Sequence, residues 1–171
     1  MNDFSKHIII ILPSLILANV LHMLIVKYNL MPFSNKALSF KYLGGNKTWR
    51  GLILVPILNS IFLMIFNNLL NLQIPNAASL GLILGLAYVA FELPNSYLKR
   101  KRGIKPGETS ANKNYFFMIL DKTDSALGVA LVYFLLGHIN LSGAVLLLLI
   151  NSGTHIVISF FLVSLKIKSS F

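Results

Sequence analysis

Five apolar stretches alternate with polar segments along the chain: His7 to Val26, Gly51 to Leu72, Ala78 to Leu98, Asp124 to Gly137 and Gly143 to Leu165. A helix crossing the hydrocarbon core of a bilayer needs about 20 mostly apolar residues. Four of the five meet that length outright. The fourth stretch is shorter, and a start inside the polar loop before it would lengthen it. The pattern predicts an all-α integral membrane bundle of about five transmembrane helices. It forms a single domain over 1–171, with polar loops at about 27–50 and 99–123. The first stretch follows Lys6 but lacks a small-x-small cleavage site, so it is expected as a retained span rather than a signal peptide.

Composition strengthens this picture. Hydrophobic residues make up 56% of the chain and charged residues 12%, with a mean hydropathy of +0.74. A soluble domain carries roughly 25% charged residues. The absence of cysteine excludes disulfides and thiolate metal sites. A net charge of +10 would suggest nucleic acid in a soluble protein. Here the charge lies between apolar spans, so anionic headgroups and phosphates are the expected partners, and nucleic acid is not.

The basic residues also set an orientation. Fourteen of the fifteen fall in the 27–50 loop, the 99–123 loop or the C-terminal tail, and only Lys6 falls on the other side. By the positive-inside rule both long loops and the C-terminus are cytoplasmic and the N-terminus is outside. In a cytoplasmic (inner) membrane the polar loops then face the cytoplasm. Lys27, Lys36, Lys41, Lys166 and Lys168 read as topology determinants.

The five acidic residues are Asp3, Glu92, Glu108, Asp121 and Asp124. Glu92, Asp121 and Asp124 fall at or inside helix ends, where an ionised group is costly and finds a cavity, a cation or a metal. Glu92, Ser96 and Lys99 are spaced to share one helical face, as are Asp121, Asp124 and Gly128. Gly128 would admit another backbone or a ligand, and Pro94 can bend the third span beside Glu92. Carboxylates one turn apart suit a magnesium ion that shares its shell with phosphates. They equally suit pairing with the nearby lysines. The four histidines, His7, His22, His138 and His155, lie apart from these motifs in sequence and are read as structural. Trp49 is read as a membrane-interface anchor, with stacking on a base as the alternative. Asn67, Asn68 and Asn71 are assigned to interhelical or interfacial hydrogen bonding.

Three runs carry a resemblance. They are Glu92-Leu-Pro-Asn-Ser96-Tyr-Leu-Lys99-Arg100, Gly103-Ile-Lys105-Pro106-Gly107, and Leu120-Asp121-Lys-Thr-Asp124-Ser125. Together they resemble the signature of CDP-diglyceride synthetases and, closer still, of the archaeal CDP-archaeol synthases. The upstream run Asn46-Lys47-Thr48-Trp49-Arg50-Gly51 is similar to that family's Lys-Thr-Trp segment. The motifs cover about 46–51 and 92–125. Phe91-Glu92 stands where the family has Gly-Asp, and Glu108 to Tyr115 departs from the family loop.

The resemblance implies transfer of CMP from CTP to a lipid phosphate, phosphatidate- or archaetidate-like, giving CDP-lipid and pyrophosphate with Mg²⁺ as cofactor. It implies Glu92, Asp121 and Asp124 as metal ligands, and Asp121, Asp124 and Lys99 as the catalytic set. Lys47, Thr48, Arg50, Ser96, Arg100, Lys105 and Gly107 would bind the substrates. The alternative is a non-catalytic membrane protein of the same fold that binds anionic lipid headgroups. A transporter fits less well, because the polar residues crowd at one end rather than at the midplane. A CDP-alcohol phosphotransferase is disfavoured because Asp124 is followed by Ser125-Ala126-Leu127-Gly128 rather than that family's run. Oligomeric state, monomer or homodimer, stays open.

Overall fold

The computed structural model describes residues 3–105 and 115–167. Among these residues the chain forms five long helices: α1 (Asp3–Lys27), α2 (Trp49–Leu69), α3 (Ala77–Lys101), α4 (Tyr115–Leu135) and α5 (Leu141–Ser164). A short 3₁₀ turn, Pro32–Ser34, interrupts the first long loop. The helices pack in chain order, α1 on α2, α2 on α3, α3 on α4 and α4 on α5, and α1 also touches α5.

Four spans, Ser5–Lys27, Trp49–Leu69, Ala77–Lys101 and Leu141–Ser164, are long and apolar enough to cross a membrane. The chain is therefore an integral membrane helical bundle. α4 is not among the four, because Asp121, Lys122 and Asp124 interrupt its apolar run. Its 21 residues nevertheless match α2 in length, about 32 Å at 1.5 Å per residue. The apolar stretch from Asp124 captured only its second half. The helix begins well upstream, at Tyr115, inside the polar loop as the shortness of that stretch allowed, and its acids Asp121 and Asp124 are held by Asn95 and Lys99 of α3.

The bundle buries polar side chains within an apolar core, and its outer surface is rich in large apolar side chains. Ile53, Ile57, Leu86, Leu149, Phe160 and Phe161 are exposed, while Ser14, Asn59, Asn95, Asp124, Ser125 and Asn151 are buried. An apolar surface of that kind marks contact with a non-aqueous phase. With no water to serve them, the interior polar groups must bond to one another or to backbone.

The α2–α3 seam shows how this works. Asn59 donates to the Gly81 carbonyl at 2.7 Å, and Ser60 donates to the Ala78 carbonyl at 2.6 Å. Asn67 closes the hairpin, donating to the Ile74 carbonyl and accepting from the Ile74 amide. These bonds need the backbones close together, and two glycines permit it. A Cβ on Gly81 would meet Ser60 Cα at 2.6 Å, and one on Gly85 would meet Pro56 Cα at 2.5 Å. Small residues four apart allow this approach in membrane helices.

Gly85→Ala should accordingly destabilise the bundle by about 1–3 kcal/mol, as overpacking does. Gly153→Ala has open space, and should be neutral or gain up to about 1 kcal/mol of helix propensity. Thermal unfolding of both variants in detergent checks the contrast. Equal melting temperatures would refute the seam argument.

Candidate functional site

One end of all five helices, together with the first long loop, lines a cavity of about 790 Å³. That is within the range of sites for nucleotide-sized ligands. Among the described residues, five cationic side chains line it, Lys47, Arg50, Lys99, Arg100 and Lys122, against three carboxylates, Glu92, Asp121 and Asp124. The surplus is positive, so the cavity is suited to an anion.

The first loop enters through a short extended contact. Ala37 and Thr48 form an isolated antiparallel bridge, with the Leu38 amide on the Lys47 carbonyl and the Trp49 amide on the Lys36 carbonyl. This fixes Lys47 just before α2. Thr48 is the N-cap of α2, its hydroxyl accepting from the Gly51 amide, as Ser and Thr commonly do. Arg50 is buried, and two of its nitrogens donate to the Leu30 carbonyl and to Asn35 Oδ1, at 2.9 and 3.2 Å. It rivets the loop to the helix while still lining the cavity.

Lys47 reaches across to Glu92 on α3 and forms an ion pair with it, both side chains 23% exposed. Burial works against the Lys47 charge, but the Glu92 carboxylate, with smaller help from Asp124 and Asp121, outweighs it. The ammonium therefore sits above the ordinary lysine value. One turn further along α3, Ser96 donates to the Glu92 carbonyl at 3.0 Å. Lys99 forms an ion pair with Asp121 on α4, and Arg100 donates to the Ile104 carbonyl at the end of its own helix.

Asn95 lies at the centre. It is buried, and its amide nitrogen donates to both acids of α4: to Asp121 Oδ1 at 2.7 Å and to Asp124 Oδ2 at 2.8 Å. The other oxygen of Asp124 accepts from the Ser125 amide at 2.7 Å. Gly128 lets α4 approach α3 here, since a Cβ would meet Phe91 Cγ at 2.6 Å and the Ala87 carbonyl at 2.7 Å. The close neighbour that Gly128 admits is thus α3 itself.

The residues picked from sequence fare differently. Lys47, Thr48, Arg50, Glu92, Ser96, Lys99, Arg100, Asp121 and Asp124 all line the one cavity. Lys105 is exposed and outside the cavity wall. Gly107 lies outside the described residues. The three carboxylates do not stand together as an open metal trio. Glu92 is turned to Lys47, and among the described residues no three His, Cys, Asp or Glu side chains are grouped to hold a metal ion. The oxygen donors nearest one another are Asp121 and Asp124, bridged by Asn95. Trp49 is half exposed and outside the cavity wall.

Sequence reasoning missed several polar residues of the wall, among them Asn95, Lys122, His22 and His155. His22 and His155 correct the expectation that all four histidines lie apart from the motifs. Packing brings the polar-loop ends of α1 and α5 to the same cavity. The imidazole of His22 sits against Gly51, whose Cβ would meet Nε2 at 3.3 Å. His7 and His138 do stay away, clustered with Tyr133 at the far end of the bundle. Asn95 had a readable signal, since it stands three residues after Glu92 and four before Lys99 on the same helical face.

The chain matches no protein-family model, no curated protein and no solved structure. The functional reading therefore stands on these side chains and on the motif resemblance.

The raised Lys47 value carries a pH prediction. A group whose folded value is raised contributes stability that is complete below its ordinary value of 10.5 and is lost as pH rises through the folded value. Thermal stability should thus show an alkaline loss that Lys47→Met lacks. A double-mutant cycle of Lys47→Met with Glu92→Gln at neutral pH should return about 0.5–3 kcal/mol of coupling. A coupling indistinguishable from zero would mean the pair contributes nothing.

Proposed function

We propose that this protein transfers CMP from CTP to a lipid phosphate, releasing pyrophosphate and leaving a CDP-lipid in the membrane. The observation that carries the reading is the cavity where the two motif-bearing segments meet, which has a surplus of cationic side chains at the end of an apolar bundle. The resemblance of the Lys47–Gly51, Glu92–Arg100 and Asp121–Asp124 runs to CDP-archaeol synthases supplies the reaction class.

The chemistry asks little of the protein beyond charge and position. A lipid phosphate is already an anionic nucleophile. Its oxygen attacks the α-phosphorus of CTP, one P–O bond forms, and the bond to the β-phosphate breaks with pyrophosphate leaving. No proton needs to be removed, so no general base is required. The obstacle is repulsion between two anions, which fixed cations reduce. Lys47, Lys99 and Arg100 stand where they can exchange their present partners for phosphate oxygens. Lys122, buried in the same wall, adds a cation that the motifs did not single out.

The donor set is compatible with Mg²⁺. Asp121, Asp124 and the buried Asn95 offer oxygen atoms, which is the ligand type that ion takes. Asn95 Oδ1 has no hydrogen-bond partner among the described residues. A divalent ion bound there would offset phosphate charge during the transfer. The charge asymmetry of the sequence supports a cytoplasmic site, with the N-terminus on the opposite side.

Purified protein with labelled CTP, Mg²⁺ and ester- or ether-linked lipid phosphates should form CDP-lipid and pyrophosphate. Asp124→Asn should lower turnover by about 10²–10³-fold, the scale for removing one key electrostatic group. Lipid binding without product from any lipid phosphate would instead favour a non-catalytic protein that holds anionic headgroups.

A further inference from the structure

Asn95 is a buried amide with one end fully used and the other unused. Both hydrogens of its amide nitrogen are spent on Asp121 and Asp124. Its Oδ1 is buried and has no partner among the described residues. The side chain is 4% exposed and lines the cavity. An arrangement that leaves a buried acceptor idle is unfavourable unless something else uses it.

The geometry suggests what that is. Two carboxylates one helical turn apart repel each other when ionised. Without a cation between them, the amide nitrogen is the end of asparagine that relieves the repulsion. With a cation present the preference reverses, because the partly positive amide N–H groups oppose the ion and the amide oxygen ligates it. Rotation of the terminal amide about its last torsion exchanges the two ends without moving the backbone, and that torsion is broad and roughly two-fold.

We propose that Asn95 is a two-state ligand: its nitrogen holds Asp121 and Asp124 together when no cation is present, and its oxygen joins them around a divalent cation when one binds. The inference rests on the proposed function in taking this site as one for a divalent ion. It adds a ligand that the acids alone did not indicate. Lys99, paired with Asp121, and Lys47, paired with Glu92, would then keep their charges beside the ion for the phosphates it attracts.

The test is Mn²⁺ binding to the full chain in detergent, read by electron paramagnetic resonance with no substrate present. If Asn95 is a ligand, Asn95→Leu, of similar size, should weaken Mn²⁺ binding by about 10-fold or more. If Asn95 merely bridges the acids, the same change removes a competing donor and binding should stay equal or tighten, which overturns the inference. Asn95→Asp keeps an oxygen and cannot donate when ionised. It should bind Mn²⁺ at least as tightly as the wild type, and weaker binding also overturns the proposal, even if the Leu variant does not fold. A wild type that binds no Mn²⁺ sinks both this inference and the cation-dependent reading of the site. Unchanged binding in Asn95→Leu, alongside CDP-lipid formation by the wild type, sinks this inference alone.

Discussion

An ion pair that bridges two helices at the mouth of an apolar bundle can form only if the helices are held at the right separation. Lys99 with Asp121 joins α3 to α4, and Lys47 with Glu92 joins the first loop to α3. Each pair sets a carboxylate against a cation supplied by another element of the fold, at the polar end of an apolar bundle. The site is thus a set of mutual dependencies. Each carboxylate of the site has a partner on another element, and α3 takes part in every one of those contacts.

The dependence reaches down into the membrane. α3 is seated on α2 through Gly81 and Gly85, with Asn59 and Ser60 bonding to backbone across the seam. It is seated on α4 through Gly128. Two close approaches on opposite sides of one helix leave it little freedom to rotate. The rotation of α3 decides whether Glu92, Asn95 and Lys99 face the cavity or the lipid, so glycines in the apolar part of the bundle help set the chemistry at its end. Phe91, standing where the resembling family has glycine, contributes by packing against Gly128.

Much of this was readable beforehand, and the failures have physical causes. Hydrophobic length located the helices, because a bilayer imposes that length. It cut α4 short, because a stretch judged by apolar content ends at the first charge, whereas this helix continues through charges that α3 neutralises. Helical spacing placed Glu92, Ser96 and Lys99 on one wall and Asp121 with Asp124 on another, and all five line the cavity. Arg50 was read as a phosphate clamp. It does line the cavity, and two of its nitrogens are also engaged by Leu30 and Asn35, a contact that depends on the path of the loop and leaves no trace in local spacing. His22 and His155 looked isolated because their sequence neighbours are apolar, and only the packing of α1 and α5 brings them to the polar wall. Asn95 was passed over as a spacer within a motif, although its position on the helix marked it as a neighbour of Glu92 and Lys99.

The bridge between Ala37 and Thr48 has a practical corollary. It ties the first loop to the start of α2, so Lys47, the partner of Glu92, is anchored by its backbone close to the only tryptophan in the chain, Trp49. That indole is half exposed and stands clear of the cavity. The protein consequently carries a single indole, its reddest intrinsic fluorophore, at the start of α2 beside the loop that bears Lys47, where its emission reports on that segment.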